Sequence, residues 1–284
     1  MKRLVVASIG MLAMGLTAAS AADMPVRPVY KAPPPPVVPV WSWTGCYIGA
    51  NAGGAWQKVD NTLTVTNGSP AYFAVSVLPE VSRNGTGSLE SSGFIGGAQV
   101  GCNYQSGRVV WGVETDFNWM HQNDHLGGRF VYSTDPLSPY LVDVSDDKKW
   151  LWTLRGRLGF TATERVLLYV TGGFAALRMD FTQTFNEPPF TTPPNGTPQI
   201  ATFSKTKGGW TVGAGVEAGL WDNWTVKAEY LYAQFDGETI SSSLTGGVAP
   251  VPRFATFSNS LSDIHLHVAR VGLNYRFGSP IVAR

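Results

Sequence analysis

From Trp43 onward, apolar and polar residues alternate along the chain in segments of about ten residues. A period of two indicates β-strands, because successive side chains of a strand point to opposite faces of its sheet. No apolar stripe with the 3.6-residue spacing of a helix competes with this pattern. The alternation predicts eight strands, near residues 44–57, 93–105, 109–122, 150–161, 166–181, 208–221, 224–236 and 263–277.

The third of these segments shows the alternation most clearly. Trp111 and Phe117 share one face, whereas Glu114 and Asp116 share the other. A soluble β-sandwich alternates too, but it buries its apolar faces between two sheets. A membrane barrel instead turns the apolar face to lipid and the polar face to a closed lumen.

The lengths of the connections distinguish these two architectures. Four long connections alternate with three short ones, so that all the short ones lie at one end of the strands: 58–92, 123–149, 182–207 and 237–262 are long, and 105–108, 161–165 and 222–223 are short. Outer-membrane barrels have this arrangement, with tight periplasmic turns and long surface loops. The sequence therefore predicts an all-β fold, an eight-stranded antiparallel up-and-down transmembrane β-barrel with both termini on the periplasmic side.

The first residues have the features of a cleavable signal peptide. A basic start at Lys2 and Arg3 is followed by a short apolar run and by small residues that end at Ala22. Because the run is shorter than the ~20 apolar residues of a membrane-spanning helix, we expect residues 1–22 to be removed on export. Every later apolar stretch is interrupted, so we expect no spanning helix and a location in the outer membrane.

Residues 23–42 form a proline-rich segment, for which polyproline II is the expected conformation. This periplasmic linker is either a spacer or a docking peptide for a periplasmic partner. The barrel is expected over 43–277, and residues 278–284 form a C-terminal tail.

Composition agrees with a lipid-facing wall. Charged residues make up 14% of the chain, against ~25% in an ordinary soluble domain. Glycine (32), tryptophan (10) and tyrosine (10) are abundant instead, as in barrels with aromatic girdles. Outer-membrane lipid and lipopolysaccharide are the expected surroundings, and a net charge of +1 gives no electrostatic basis for binding nucleic acid.

Charged side chains on the polar faces of the predicted strands form a candidate lumen network. Its members are Glu114, Asp116, Arg155, Arg157, Glu217, Lys227, Glu229, Arg270 and Arg276. Charges in a narrow interior are costly unless they are paired, and eight strands enclose a space that side chains nearly fill. We therefore expect a plugged lumen and a structural, surface-exposed role in the bacterial envelope; a small-solute porin or channel is the alternative.

The motifs that could carry catalysis are weak. Residues 213–218 match the pattern G-x-G-x-x-A, but inside a predicted strand rather than between a strand and a helix. His121, Asp124 and His125, like the pair His265 and His267, give no closed metal-ligand set. No G-x-S-x-G motif is present. We expect no enzymatic activity, no cofactor and no metal.

The last strand carries the most specific motif, an apolar residue at every second position that ends in an aromatic: Val271, Leu273, Tyr275 and Phe277. Together with the glycine- and aromatic-rich stretches 43–49 and 93–99, it resembles the small immunogenic porin-like outer-membrane proteins of α-proteobacteria, relatives of the OmpA-type transmembrane domain. The resemblance implies an eight-stranded barrel inserted by the outer-membrane assembly machinery. One departure is that residues 278–284 follow the terminal aromatic.

A break in parity occurs inside the same strand. Ile264, Leu266 and Val268 are apolar at even positions, whereas the motif from Val271 onward is apolar at odd positions. A bulge near Ala269 and Arg270 would restore the register. Alternatively, the residues before 268 lie above the bilayer.

Cys46 and Cys102 are the only cysteines. Parity places both on the outer wall near the periplasmic end of the first two strands. Exported thiols meet an oxidising compartment, where an even number favours pairing, so we expect a Cys46–Cys102 disulfide. The alternative is two unpaired small residues that face lipid.

Overall fold

The computed structural model of the protein describes residues 41–187, 199–246 and 252–277. The expected signal peptide, most of the linker and the tail lie outside these ranges. Within them, no helix is both long and apolar enough to cross a membrane. The elements are β1 (Gly45–Asn67), α1 (Leu78–Asn84), β2 (Gly87–Ser106), β3 (Val109–Tyr132), β4 (Asp135–Thr163), β5 (Val166–Asn186), β6 (Gln199–Gly219), β7 (Trp224–Phe235), β8 (Glu238–Gly246), β9 (Arg253–Leu261) and β10 (Ile264–Phe277).

Eight of the ten strands form a closed antiparallel ring. Neighbours in sequence pair from β1 to β7, and β10 closes the ring by pairing with β7 on one side and β1 on the other. The other two strands, β8 and β9, form a hairpin between β7 and β10, and β9 pairs with the far half of β1. The predicted all-β barrel is therefore confirmed, with an additional hairpin that the alternation did not indicate.

The strands extend well beyond a bilayer. β1 has 23 residues, β3 has 24 and β4 has 29, whereas about 9–11 tilted residues cross the membrane. The turns at one end are short, as predicted: residues 107–108, 164–165 and 220–223. We call this the short-turn end and the opposite one the hairpin end.

The prediction of long loops at the hairpin end is wrong for most of their length. Residues 123–149 continue β3 and β4 as one hairpin that turns at 133–134, and 237–262 hold β8 and β9. The half of β1 nearest the hairpin end shows why these segments are strands. Val59, Leu63 and Val65 point inward and are buried, while Thr62 and Thr64 face outward. These segments stay in strands because they enclose an apolar core of their own.

The outer wall near mid-height is apolar and is bordered by aromatic residues at two levels. Trp111, Trp119 and Trp210 are all exposed on the outside of the ring. One level contains Tyr104, Trp111, Phe160, Trp224, Tyr275 and Phe277, and the other contains Trp56, Phe94, Trp119, Trp210, Tyr230 and Tyr232. Aromatic girdles of this kind mark the two interfaces of a bilayer.

The bulge proposed near Ala269 and Arg270 is absent from β10, and that prediction is wrong. β10 pairs with β7 in continuous register from Ile264 to Tyr275. Ile264, Leu266 and Val268 point into the barrel together with Arg270. The break in sequence parity is thus caused by a change in the polarity of the barrel interior, which is charged at Arg270 and apolar from Val268 to Ile264. The strand register does not change.

Cys46 and Cys102 lie directly opposite each other on β1 and β2, on the outer wall near the short-turn end. Their Cα atoms are 3.9 Å apart, and their sulfur atoms are bonded at 2.09 Å. The disulfide joins the two strands at the same level as Phe277, which pairs with Cys46 from the other side.

Replacing both cysteines by serine should lower the free energy of unfolding by about 4 kcal/mol, because the disulfide closes a loop of 56 residues in the unfolded chain. Urea-induced unfolding of the barrel in lipid vesicles measures this difference. Reductant should shift the midpoint of the wild type towards that of the double variant and leave the variant unchanged. An equal midpoint for both proteins, with and without reductant, would contradict the prediction.

Candidate functional site

The interior of the barrel is filled by three layers of side chains, stacked from the short-turn end to the hairpin end. We call them the tryptophan plug, the charged layer and the apolar layer. Each layer has a different chemistry.

The tryptophan plug closes the short-turn end. Trp43 is completely buried, and its indole Nε1 donates to the carbonyl of Glu164 at 3.2 Å. The ring of Trp41 packs edge-on against Trp43, with centroids 5.8 Å apart. From the sequence alone, these residues were predicted only to be the junction of linker and barrel. Two aromatics immediately before the first strand were the available signal for the plug.

Arg276 belongs to this plug rather than to the charged layer in which the sequence placed it. Its guanidinium lies over the rings of Trp41 and Trp43, at 4.7 and 5.4 Å from their centroids, and donates to the carbonyl of Ser42. Its position near the end of β10 brings it below the carboxylates of the lumen. It therefore holds the residues before β1 in the mouth of the barrel.

The charged layer contains the other eight predicted lumen charges. Four carboxylates meet four cations in it: Glu114, Asp116, Glu217 and Glu229 with Arg155, Arg157, Lys227 and Arg270. All eight side chains are buried, and their formal charges cancel. Such balance is what a desolvated set of charges requires.

Arg155 is the centre of the charged layer. Its Nη2 atom lies 2.5 Å from Glu114 and 2.8 Å from Asp116, and its Nη1 atom lies 2.9 Å from Glu229. These carboxylates come from β3 and β7, so one guanidinium connects opposite sides of the ring. Thr171 accepts a further hydrogen bond from Nη1 at 3.0 Å.

Two other cations complete the pairing of the same carboxylates. Arg270 lies 3.0 Å from Asp116 and 2.7 Å from Glu229. Lys227 lies 2.8 Å from Glu114. Each of these carboxylates therefore lies within ion-pair distance of at least two cations, which lowers the cost of removing it from water.

A further ion pair, between Arg157 and Glu217, lies next to this group. Glu217 also accepts hydrogen bonds from Thr225 at 2.5 Å and from Asn274 at 3.0 Å. The guanidinium of Arg157 stacks on the ring of Tyr169, 3.7 Å from its centroid. Cation, carboxylate and aromatic ring together fill this side of the lumen.

The strand register explains how the sequence assembles this layer. Glu114 faces Arg155 directly across β3 and β4, Glu229 faces Arg270, and Glu217 faces Lys227. Opposite charges at paired positions stabilise a sheet. Gly101 provides space for Tyr47, whose hydroxyl donates to Glu114. A Cβ atom at Gly101 would lie 2.5 Å from that hydroxyl.

The apolar layer lies above the charges, and sequence reasoning missed it. Buried side chains from seven of the eight ring strands and from β9 form it: Ala55, Val59, Leu89, Ile95, Met120, Val144, Leu151, Ala175, Leu177, Met179, Phe181, Leu231, Ala233, Phe235, Leu261, Ile264, Leu266 and Val268. The even-numbered apolar residues at the start of the last strand were its signal. Four members, Val59, Leu89, Val144 and Leu261, were predicted to lie in loops. The others were in predicted strands but were not assigned to a shared interior, so the layer could not be assembled from sequence.

Beyond the apolar layer, a second apolar cluster stabilises the part of the barrel that projects from the membrane, which we call the extension. It is built around Phe73, Tyr132, Tyr140, Phe185 and Phe257, with Val81 of helix α1 completely buried among them. The hydroxyls of Tyr72 and Tyr132 both donate to Glu187. Burial, reinforced by this carboxylate, raises the pKa of both tyrosines well above the ordinary value.

The histidines that were considered as metal ligands lie on the outer wall. His265 and His267 hydrogen-bond through Nδ1 to Tyr232 and Tyr230, each at 2.6 Å, and His267 stacks on Trp56. They form part of the aromatic belt at the hairpin end. In the described part of the chain, no three residues of suitable type are grouped to hold a metal ion.

Similarity to known proteins assigns the chain to a family. A family model described as "outer membrane protein beta-barrel domain" matches residues 9–277. The chain belongs to this family. Consistent with it, the 31 kDa outer-membrane immunogenic protein of Brucella melitensis is 35% identical over 98% of this chain and 100% of its own length.

Two further relatives support the same assignment. The 25 kDa outer-membrane immunogenic protein of Brucella abortus is 27% identical over 98% of this chain and 99% of the relative. The 22 kDa outer membrane protein of Rhizobium leguminosarum is 29% identical over 72% of this chain and 69% of the relative. The predicted resemblance is confirmed: this member of the outer-membrane β-barrel family is located in the outer membrane and has a structural and surface role there.

The C-terminal motif predicted from the sequence lies on the outer wall. Val271, Leu273, Tyr275 and Phe277 are exposed on one face of β10. The same strand closes the ring against β1. The predicted assembly motif thus lies on the strand that closes the ring and comes last in chain order.

Replacing Arg155 by methionine should destabilise the barrel by ~3–5 kcal/mol, because three buried carboxylates would lose a shared cation. Arg178→Met is the matched control, since Arg178 is partly exposed and lies 3.7 Å from Asp180; its expected cost is ~0–1 kcal/mol. Urea unfolding in lipid vesicles measures both. Equal losses for the two variants would show that the charged layer is not a stabilising centre.

Glu187→Gln should let Tyr72 and Tyr132 ionise at a lower pH, because it removes the carboxylate that adds to burial in raising their pKa. Folding keeps these hydroxyls protonated above pH ~10, where the unfolded chain ionises them. Their contribution to stability is therefore complete below that pH and is lost as the pH rises towards the raised pKa. Tyrosinate absorbance during alkaline titration measures the change. Glu90→Gln, at a surface ion pair with Lys58, is the control, and coincident curves for both variants would refute the prediction.

Proposed function

We propose that this outer-membrane protein is a closed barrel that supports the envelope mechanically and presents its extension as a rigid surface outside the cell, without conducting solutes and without catalysis. The observation that carries the proposal is the filling of the lumen at three successive levels. The tryptophan plug, the charged layer and the apolar layer each come from different residues. A solute would have to displace all three to pass.

The internal pairing of the charged layer also argues against a catalytic role. General acid–base catalysis needs a titratable group within reach of a substrate. Here Glu114, Asp116 and Glu229 are shared among buried cations and are not exposed to either side. The ion pairs that close the lumen therefore also occupy the carboxylates that acid–base catalysis would need.

The extension is the part best placed for contact with the surroundings. Its strands continue beyond the upper aromatic belt and enclose a core, so its outward-facing residues, such as Thr62, Thr64 and Ser241, are held in fixed positions. Both Brucella relatives described above are named immunogenic proteins. We propose that the extension of this chain is likewise the surface that antibodies or host molecules would meet.

Three partners follow from this placement. Outer-membrane lipid and lipopolysaccharide would surround the wall between the aromatic girdles. The assembly machinery would recognise the motif of Val271, Leu273, Tyr275 and Phe277. The expected removal of residues 1–22 would leave the proline-rich linker in the periplasm, as a spacer or bound to a periplasmic partner.

A small-solute pore is the second candidate, and one group of side chains favours it. Gln57 and Ser91 face each other on β1 and β2 and are buried. Their side-chain polar atoms, and Oε1 of Gln122, have no hydrogen-bond partner within the described ranges. Buried polar atoms without protein partners are commonly satisfied by internal water. A hydrated path along β1, β2 and β3 would be the route of such a pore.

Planar-bilayer recordings distinguish the two functions. The refolded protein should insert without measurable conductance, and Trp43→Ala should also be silent, because the charged and apolar layers remain. Insertion is verified by protection from protease, and a general porin in the same membrane serves as the positive control. Discrete conductance steps in the wild type that change on Gln122→Ala would favour the pore.

A further inference from the structure

The wall of the extension has a seam between β6 and β8. β6 pairs with β7 only over Gly209–Gly219, and β8 pairs with β9. Among the strands that the structure describes, none pairs with residues 199–208 of β6 on that side or with the free edge of β8. Two strand edges therefore face each other without a shared hydrogen-bond ladder.

Charged side chains bridge the seam at its lower end. Glu238 of β8 forms ion pairs with Lys205 and Lys207 of β6, the second with 3.6 Å between Nζ and Oε2. Lys207 is only 8% exposed, and its ammonium also donates to the carbonyl of Asp236 at 2.6 Å. One carboxylate is thus shared by two cations, one of which is largely removed from water.

A cavity of about 270 Å³ opens at this seam. Met179, Phe181, Phe203 and Ile240 form its apolar wall. Met179 and Phe181 belong to the apolar layer, and Phe203 and Ile240 pack against that layer. The cavity therefore leads from the side of the extension, just above the aromatic belt at Trp210, to the apolar interior of the barrel.

We propose that this seam cavity binds a small amphipathic monocarboxylate. The apolar chain would lie against Phe181 and Phe203, and the carboxylate would bind at Lys205 and Lys207. The residues that line the cavity carry two positive charges and one negative charge, so one more carboxylate completes their pairing. A neutral ligand would leave that imbalance in place. The inference goes beyond the proposed structural role, because it gives the extension a ligand of its own.

The volume limits the size of the ligand. At roughly 30 Å³ per heavy atom, the share of a water molecule in the liquid, the cavity holds about nine heavy atoms. Pockets for drug-sized ligands begin near ~300 Å³ and combine apolar walls with a few placed polar groups. The seam cavity has this composition at the lower limit of size. A fatty acid of seven or eight carbons, which has nine or ten heavy atoms with its two oxygens, is close to this size and matches the polarity.

Equilibrium dialysis of radiolabelled octanoate tests the proposal. The full barrel is reconstituted in lipid nanodiscs, and empty nanodiscs of the same lipid correct for partition into the bilayer. We expect saturable binding of one octanoate per chain. Octanol, which has the same chain without the charge, should bind roughly tenfold more weakly because it lacks the charge-assisted hydrogen bonds.

Two variants assign the binding to the seam. Ile240→Trp fills the cavity and should abolish saturable binding, whereas Thr245→Trp, which introduces the same side chain at an exposed position of β8, should leave it intact. Lys207→Gln should weaken octanoate binding roughly tenfold without changing octanol binding, and Lys207→Arg should restore it. The heat-dependent shift of the folded barrel in gel electrophoresis verifies that each variant is folded.

Absence of saturable octanoate binding by the folded wild type would overturn the proposal. So would equal binding by the wild type, Ile240→Trp and Lys207→Gln, because the ligand would then lie elsewhere. Neither result would bear on whether the lumen is closed, which the conductance measurement tests separately.

Discussion

The pairing of desolvated charges around Arg155 is the constraint on which the rest of the barrel depends. Burying a guanidinium in a space without bulk water costs free energy. That cost is offset only when the guanidinium is paired with carboxylates, as Arg155 is with three of them. Those carboxylates lie on β3 and β7, and their other cations lie on β7 and β10. A shift of one strand by one residue would turn its charges to the lipid, so the charged layer fixes the register of the ring.

Polarity inverts along the barrel axis, and this inversion connects the membrane part to the extension. In the membrane part, apolar side chains such as Ile48 face outward and polar ones such as Asn51 face inward. On the same strand, Leu63 and Val65 face inward, while Thr62 and Thr64 face outward. The lower half is thus organised for lipid and the upper half for water. One continuous sheet can lie partly in lipid and partly in water because the lower half buries its polar side chains and the upper half buries its apolar ones.

The same strands that close the lumen leave a gap in the wall of the extension. In the membrane part the eight-stranded ring is complete, and its interior is filled by side chains from every direction. Above it, β7 ends at Phe235, and the β8–β9 hairpin continues the wall without pairing to β6. The seam lies where the ring loses this continuity. It is therefore at the edge of the apolar layer, and not within the charged layer, that a ligand finds access.

The sequence by itself determined the membrane part: the eight ring strands, the short turns, the outward tryptophans and the inward charges all follow from a period of two, which is a local property. It could not determine the extension, because strands such as residues 61–67 acquire their buried face only from distant partners on β9 and α1. Likewise, the break at Val268 suggested a bulge until the apolar layer, to which residues from most of the ring contribute, gave Ile264 and Leu266 an interior to enter. Arg276 was placed among charges by parity, whereas its height on β10 brought it to Trp41 and Trp43. Parity gives the face of a strand, but only the closed tertiary structure gives the height and the neighbours on that face.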